Sequence, residues 1–107
     1  MLSINGTLLD ACVLGILDIE DTYGYQVTQK LKRHVTISES TLYPVLRRLQ
    51  KENYVKSYDV SYEGRNRRYY KITDTGKIEL QKARDSWKNH QKVIELFLNK
   101  GGIESNE

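Results

Sequence analysis

The amino-acid sequence predicts a mainly α-helical chain with one small β-hairpin. Three observations carry that prediction. Apolar residues recur at helical spacing in four separate segments, the last of them running over residues 74–99. Residues 54–72 instead alternate with period 2 around a turn that contains glycine. The 107 residues are 38% hydrophobic and 29% charged, the balance of one globular domain with a modest core.

The first helix is predicted over residues 5–19, where Leu9, Cys12, Val13, Ile16 and Leu17 form one apolar stripe. Cys12 on that stripe reads as a small core residue. Ile4, Leu8 and Ile19 lie off the centre of the stripe, so the helix is expected to be covered from more than one side. Glu20-Asp21-Thr22 reads as a loop. A second helix follows at 24–33, with Val27 and Leu31 one turn apart. Lys30, Lys32, Arg33 and His34 gather at its end, where cations favour the helix dipole.

The third helix is predicted to start around Ser40, with Ser38 or Ser40 as its cap, because Pro44 is tolerated only near a first turn. Leu42, Val45, Leu46 and Leu49 fall within about 100° of one another on a 3.6-residue wheel. Ser40, Tyr43, Pro44, Arg47 and Lys51 fall on the opposite side, with Thr41 and Arg48 flanking. The segment thus buries one face and presents a short, basic, hydroxyl-rich one. Residues 54–62 and 67–72 read as two strands joined by Glu63-Gly64-Arg65-Asn66, a hairpin whose tip holds Arg65, Arg67 and Arg68. Tyr69 and Tyr70 alternate across the second strand, so at least one of them packs on the core.

Thr73 is the expected cap of the final helix, which Gly101-Gly102 ends. Along it Leu80, Ala83, Trp87, His90, Ile94 and Phe97 alternate spacings of three and four, the pattern of a helix-pairing seam. At ~1.5 Å per residue the helix spans roughly 39 Å, more than a core this small covers. A second copy of the chain is the simplest cover for the remainder. The domain plan is therefore 1–73 for the compact part, 74–100 for a dimerisation helix and 101–107 for a flexible tail.

Charge is distributed unevenly. Residues 1–29 carry four acids and no Lys or Arg, residues 30–71 carry eleven basic against four acidic residues, and residues 72–107 carry six of each. A basic middle third implies a polyanionic partner, of which nucleic acid is the commonest. Three helices followed by a basic-tipped hairpin is the order of a winged helix–turn–helix. A helix of this kind fits the DNA major groove while wing arginines reach phosphates or the minor groove. The first segment's 1–73 is thus the expected winged helix–turn–helix DNA-binding domain, and a dimer of it would match a palindromic site in double-stranded DNA.

Several motifs resemble one family. Thr41-Leu42-Tyr43-Pro44-Val45-Leu46-Arg47-Arg48-Leu49 looks like the TLYPxLxRL signature of the PadR-like transcriptional regulators. Tyr23-Gly24-Tyr25 is similar to the YGY that opens their second helix, and Gly64 to Gly76 to their wing-and-return motif GRxRRYYxLTxxG. The resemblance covers about residues 7–99, and the single C-terminal helix resembles the short subgroup, whose members dimerise through that helix and the first. The resemblance, rather than periodicity, implies a repressor and an effector ligand. In short relatives that sense drugs, a tryptophan on this helix stacks against the ligand. The alternative is that Trp87 is a dry anchor at the dimer interface.

The expected DNA contacts are Ser40, Thr41, Tyr43, Pro44, Arg47, Arg48 and Lys51 on the third helix, with Arg65, Arg67 and Arg68 on the wing. Trp87 and Gln91 are the candidate ligand residues for a small aromatic effector. The expected same-face neighbours of Trp87 are Ala83, His90 and Gln91, none of them acidic, which argues against a cationic effector. The interface expected between copies is the Leu80, Ala83, Trp87, His90, Ile94 and Phe97 seam. Three competing readings stay open: a winged-helix module that binds an acidic protein, a ligand-binding dimer without an operator, and a MarR-like regulator, although those carry longer extensions at both ends.

Other functions are disfavoured by composition. One cysteine excludes an internal disulfide framework and a Cys-rich zinc site, and His34 and His90 lie too far from each other in sequence to suggest a metal site. The glycines are scattered rather than gathered in a phosphate-binding loop, and no paired carboxylates or Cys/His nucleophile stand out, so no enzyme and no cofactor are expected. No apolar run nears the ~20 residues of a membrane span, and the first residues lack a basic signal-type opening, so the cytoplasm is the expected location.

Overall fold

The computed structural model describes residues 2–4 and 6–101. Helix α1 spans Gly6–Ile19, strand β1 Thr22–Tyr23, helix α2 Gly24–Lys32 and helix α3 Glu39–Lys51. Strands β2 (Val55–Tyr62) and β3 (Arg65–Ile72) form the hairpin, and helix α4 runs over Asp74–Lys100. The sheet is antiparallel with order β1-β3-β2. The predicted residue 5 and the expected tail beyond residue 101 lie outside the described residues.

One core joins the four helices with strands β2 and β3. Leu9, Val13, Leu14 and Leu17 of α1 meet Val27 and Leu31 of α2 and Leu42, Val45, Leu46 and Leu49 of α3. Val55, Tyr70, Ile72 and Leu80 close it from the sheet and from α4. Every third-helix residue expected to be buried is buried. On α1 the stripe is shifted. Leu9, Val13 and Leu17 recur every four residues and Leu14 extends the arc on one side, so Cys12 falls outside it, about 60° before Leu9 at 100° per residue. Cys12 is exposed, not a core residue, and partial burial alone pushes its thiol pKa up.

Three local details correct the sequence reading. Thr22, read as loop, pairs with Tyr70, and Tyr23 beside it pairs with Tyr69, as a third strand. Two residues are too few to show a period, and the pairing arises only when β3 arrives. The hairpin turn is two residues long, Glu63-Gly64, with φ of 49° and 76°. Tyr62 sits opposite Arg65, so β3 begins at Arg65 rather than at residue 67. A two-residue loop with both φ values positive suits the twist of the strands, and Gly64 adopts this geometry without strain. Helix α3 starts one residue early, at Glu39, with Ser38 as the extended N-cap residue. Its hydroxyl meets Ser40 Oγ at 2.9 Å and Thr41 Oγ1 at 3.2 Å instead of the helix backbone. Pro44 is then the sixth helical residue, past the first turn. The turn it weakens is exposed, where water can serve Ser40's carbonyl.

The far end of α3 and the start of α4 are locked together. Asn53, at φ 70°, closes α3 with the Asn53 N–H donating to the Gln50 carbonyl at 3.0 Å and the Tyr54 N–H to that of Leu49 at 2.9 Å. The Thr73 hydroxyl donates to the Asn53 carbonyl at 2.7 Å and accepts from the Gly76 N–H at 2.9 Å, capping α4 as expected. Gly76 is needed there: a Cβ would stand 2.1 Å from the Tyr54 carbonyl oxygen.

Candidate nucleic-acid interface

The outer face of α3 is built by the same repeat that buries the inner one. With Leu42, Val45, Leu46 and Leu49 inward, Ser40, Thr41, Tyr43, Pro44, Arg47, Arg48 and Lys51 are all exposed. Among the described residues Arg47 and Lys51 have no ion-pair partner, so both cations, one turn apart, face solvent free. Two other predicted contacts are engaged within the chain. Arg48 turns to α1 and pairs its guanidinium with the Asp10 carboxylate. The Tyr43 ring lies against Gly24 at the start of α2, where a Cβ would meet it at 2.7 Å. The YGY and TLYP motifs are thus two sides of one helix–helix contact, and Tyr43 keeps only 37% exposure.

The wing divides its arginines by strand face. Arg65 is exposed and unpaired among the described residues. Arg67 lies over the rings of Tyr23 and Tyr62, 4.5 and 4.7 Å from their centroids, so cation–π contacts hold it on the outer sheet face. Arg68, on the opposite face, reaches the Asp59 carboxylate at 3.5 Å. The Tyr23 and Tyr69 rings, and those of Tyr69 and Tyr58, extend the aromatic surface on the Arg67 side. Tyr70 packs inward, as one of that pair had to. Its burial pushes its phenol pKa up. Nothing in the strand's spacing marked Arg67 as held, because Tyr23 is far away in sequence and Tyr62 comes beside it only through the hairpin register.

On α4 the predicted seam splits at its second turn. Leu80, at 4% exposure, belongs to the core of its own chain, while Ala83 is half-buried. Trp87, Ile94 and Phe97 are 50%, 44% and 62% exposed, and His90 stacks on Trp87 with centroids 6.1 Å apart. Trp87 and His90 also edge a cavity of about 540 Å³ between α1, α4 and the end of α3, together with Leu49, Tyr54 and Ala83. Gln91 does not line it. Two carboxylates do, Asp10 and Glu79, which corrects the expectation that none lies near Trp87. Glu79, Ala83 and Trp87 are spaced by four and so share a helix face, a signal two turns long. Asp10 carried none, being brought in by α1. The negative charge of Glu79 is the main cause of a raised pKa at Tyr54 on the same wall.

A basic α3 beside a three-stranded wing is the architecture of a winged helix–turn–helix, and comparison with known proteins identifies which. Residues 13–82 match the Transcriptional regulator PadR-like family. The chain belongs to that family. It is similar to smu.1704 from Streptococcus mutans, with 34% identity, a TM-score of 0.83 and 92% of each chain covered. It is similar also to a PadR family transcription regulator from Clostridium difficile, at 31% identity and a TM-score of 0.80, covering 85% of this chain and 98% of that one. Bacillus subtilis PadR, solved in complex with operator DNA, matches at 26% identity and a TM-score of 0.66 over 70% of this chain and 45% of that one. This PadR-family chain is therefore a transcriptional regulator rather than an enzyme. Among its described residues no helix is long and apolar enough to cross a membrane.

Proposed function

We propose that this PadR-family regulator is a homodimeric repressor of palindromic operator DNA, with α3 in the major groove and the wing beside it. The observation that carries the reading is the free basic face of α3. Among the described residues Arg47 and Lys51 stand unpaired on a helix whose opposite face is buried, so they can approach base edges without breaking an ion pair. Ser40, Thr41 and Pro44 share that exposed surface, and Arg65 is the free wing cation for phosphate. Arg48, Arg67 and Arg68 would exchange existing partners to reach DNA, so they rank behind. The exposed Trp87, Ile94 and Phe97 on α4, with Leu8 and Ile19 on α1, support pairing of two copies through these helices. The cavity beside Trp87 supports a small aromatic effector whose binding alters that pairing and releases the operator.

The test is fluorescence anisotropy with the DNA upstream of the chain's own gene against a scrambled duplex, across about 50–200 mM salt. Tighter binding to the upstream duplex, with a steep loss as salt rises, is the expected result. Arg47→Ala should remove the preference at a cost of about 1–3 kcal/mol, and Arg65→Ala should weaken both duplexes alike. Absence of binding even at low salt would sink the DNA reading and favour an acidic protein partner.

A further inference from the structure

We infer that Asp10 is a shared carboxylate, for which Arg48 of α3 and an organic cation in the α1–α4 cavity compete, each weakening the other's hold. This rests on the effector site proposed above and adds its ligand class and its link to α3. Three features lead there. Asp10 lines the cavity that Trp87, Tyr54 and Glu79 also line, so two aromatic side chains and two carboxylates converge on one space of about 540 Å³. That combination suits a flat cation: the ring stacks on the indole while the charge seeks a carboxylate. Glu79 is offset by Lys82, whose ammonium lies 3.8 Å away on the same cavity wall, and faces the Tyr54 hydroxyl, which leaves Asp10 as the carboxylate for a ligand's charge. The Asp10 carboxylate is already held from outside the cavity by Arg48, the residue that follows Arg47 on α3.

A carboxylate that accepts a charge-assisted hydrogen bond from a guanidinium holds less potential for a second cation. The ligand's charge and Arg48 therefore compete. Occupying the cavity with a cation loosens the one ion pair that ties α3 to α1 among the described residues. A neutral ligand of the same shape stacks on Trp87 and leaves that tie alone. The coupling is reciprocal: whatever draws Arg48 away from Asp10 makes the cavity a better cation site.

The experiment needs no DNA, so its outcome is independent of the operator reading. The full chain is titrated with 9-aminoacridine, a planar cation at neutral pH, and with acridine, a mostly neutral relative of nearly the same size, following emission of Trp87, the chain's one tryptophan. The cation should bind several-fold more tightly than acridine. Asp10→Asn should weaken the cation by about ten-fold, the scale of one charged hydrogen bond. Arg48→Met, which keeps the stem and removes the competitor, should tighten the cation several-fold. Acridine affinity should move less than about two-fold in either variant, which also reports that the cavity is intact.

If either single variant fails to fold, the Asp10→Arg/Arg48→Asp exchange restores the ion pair with a cation on the cavity side. It should abolish 9-aminoacridine binding and spare acridine. An Arg48→Met that leaves cation affinity unchanged or lowers it overturns the sharing, as does an Asp10→Asn without effect. In those cases the effector site survives. Absence of quenching by both probes removes the effector site and this inference together.

Discussion

Tyr58 shows how one side chain couples the wing to the rest of the domain. Its hydroxyl donates to the Asp21 carboxylate at 2.6 Å, bridging β2 to the residue before β1. That hydrogen bond, the largest cause, with partial desolvation and the carboxylate's charge, pushes the phenol up to about 12 from its ordinary 10. The folded state therefore holds this proton more tightly than the unfolded chain does. Its contribution to stability is complete below pH of about 10 and is lost as pH rises through about 12. Subtracting the tyrosinate absorbance titration of Tyr58→Phe from that of the parent should give a curve centred at about 12; one centred near 10 would mean the bond does not persist in solution. Arg67 is the companion case: a residue with the right charge in the right motif, held by Tyr23 and Tyr62. Sequence shows its charge but not the two rings around it.

At the scale of elements, the helices were legible because each carries its own period. The inner face of α3 and the Thr73 cap of α4 emerged where spacing and capping chemistry placed them, since both depend on neighbours within four residues. Strand β1 was not legible, because a two-residue strand exists only through its pairing with Tyr69 and Tyr70. The junction of β2 with α4 was missed in the same way. Gly76 appears in the sequence as one helical glycine, yet the Tyr54 carbonyl comes so close that no side chain fits. Gly76→Ala should lower stability by about 2–3 kcal/mol, by strain rather than by any lost contact. Urea unfolding checks this. A midpoint equal to the parent's or higher, as helix propensity alone would favour, would show that the junction opens freely.

The whole molecule is 69 Å in its longest dimension because α4 runs on past its own core. From Arg84 to Lys100 every residue of that helix is exposed, including Trp87, Val93, Ile94, Leu96, Phe97 and Leu98. A helix so apolar on one side needs a second surface, and the proposed dimer supplies it. Phe97→Asp combined with Ile94→Asp should convert the dimer to a folded monomer, because each places a charge where the partner offers apolar side chains. Sedimentation equilibrium at micromolar concentration measures the mass directly. A variant that still sediments as a dimer would place the interface elsewhere. The core should be undisturbed, as only Gly76 and Leu80 of α4 are buried in it.

The amino-acid order alone dictated four helices, a hairpin, a basic exposed face on the third helix and an apolar stripe on the fourth. Each follows from periodicity, capping and charge, which act over a few residues. Which cations remain free was decided only by the tertiary structure. Among the described residues Arg47, Lys51 and Arg65 are unpaired, whereas Arg48 has Asp10, Arg67 has Tyr23 and Tyr62, and Arg68 has Asp59. Asp10 beside Trp87 belongs to the same class of fact, whereas Glu79 shares Trp87's own helix face. An ion pair or a stacked ring depends on which elements fold against each other: Asp10 and Tyr23 come from segments far apart in the chain, and Asp59 and Tyr62 meet their arginines only through the register of the hairpin.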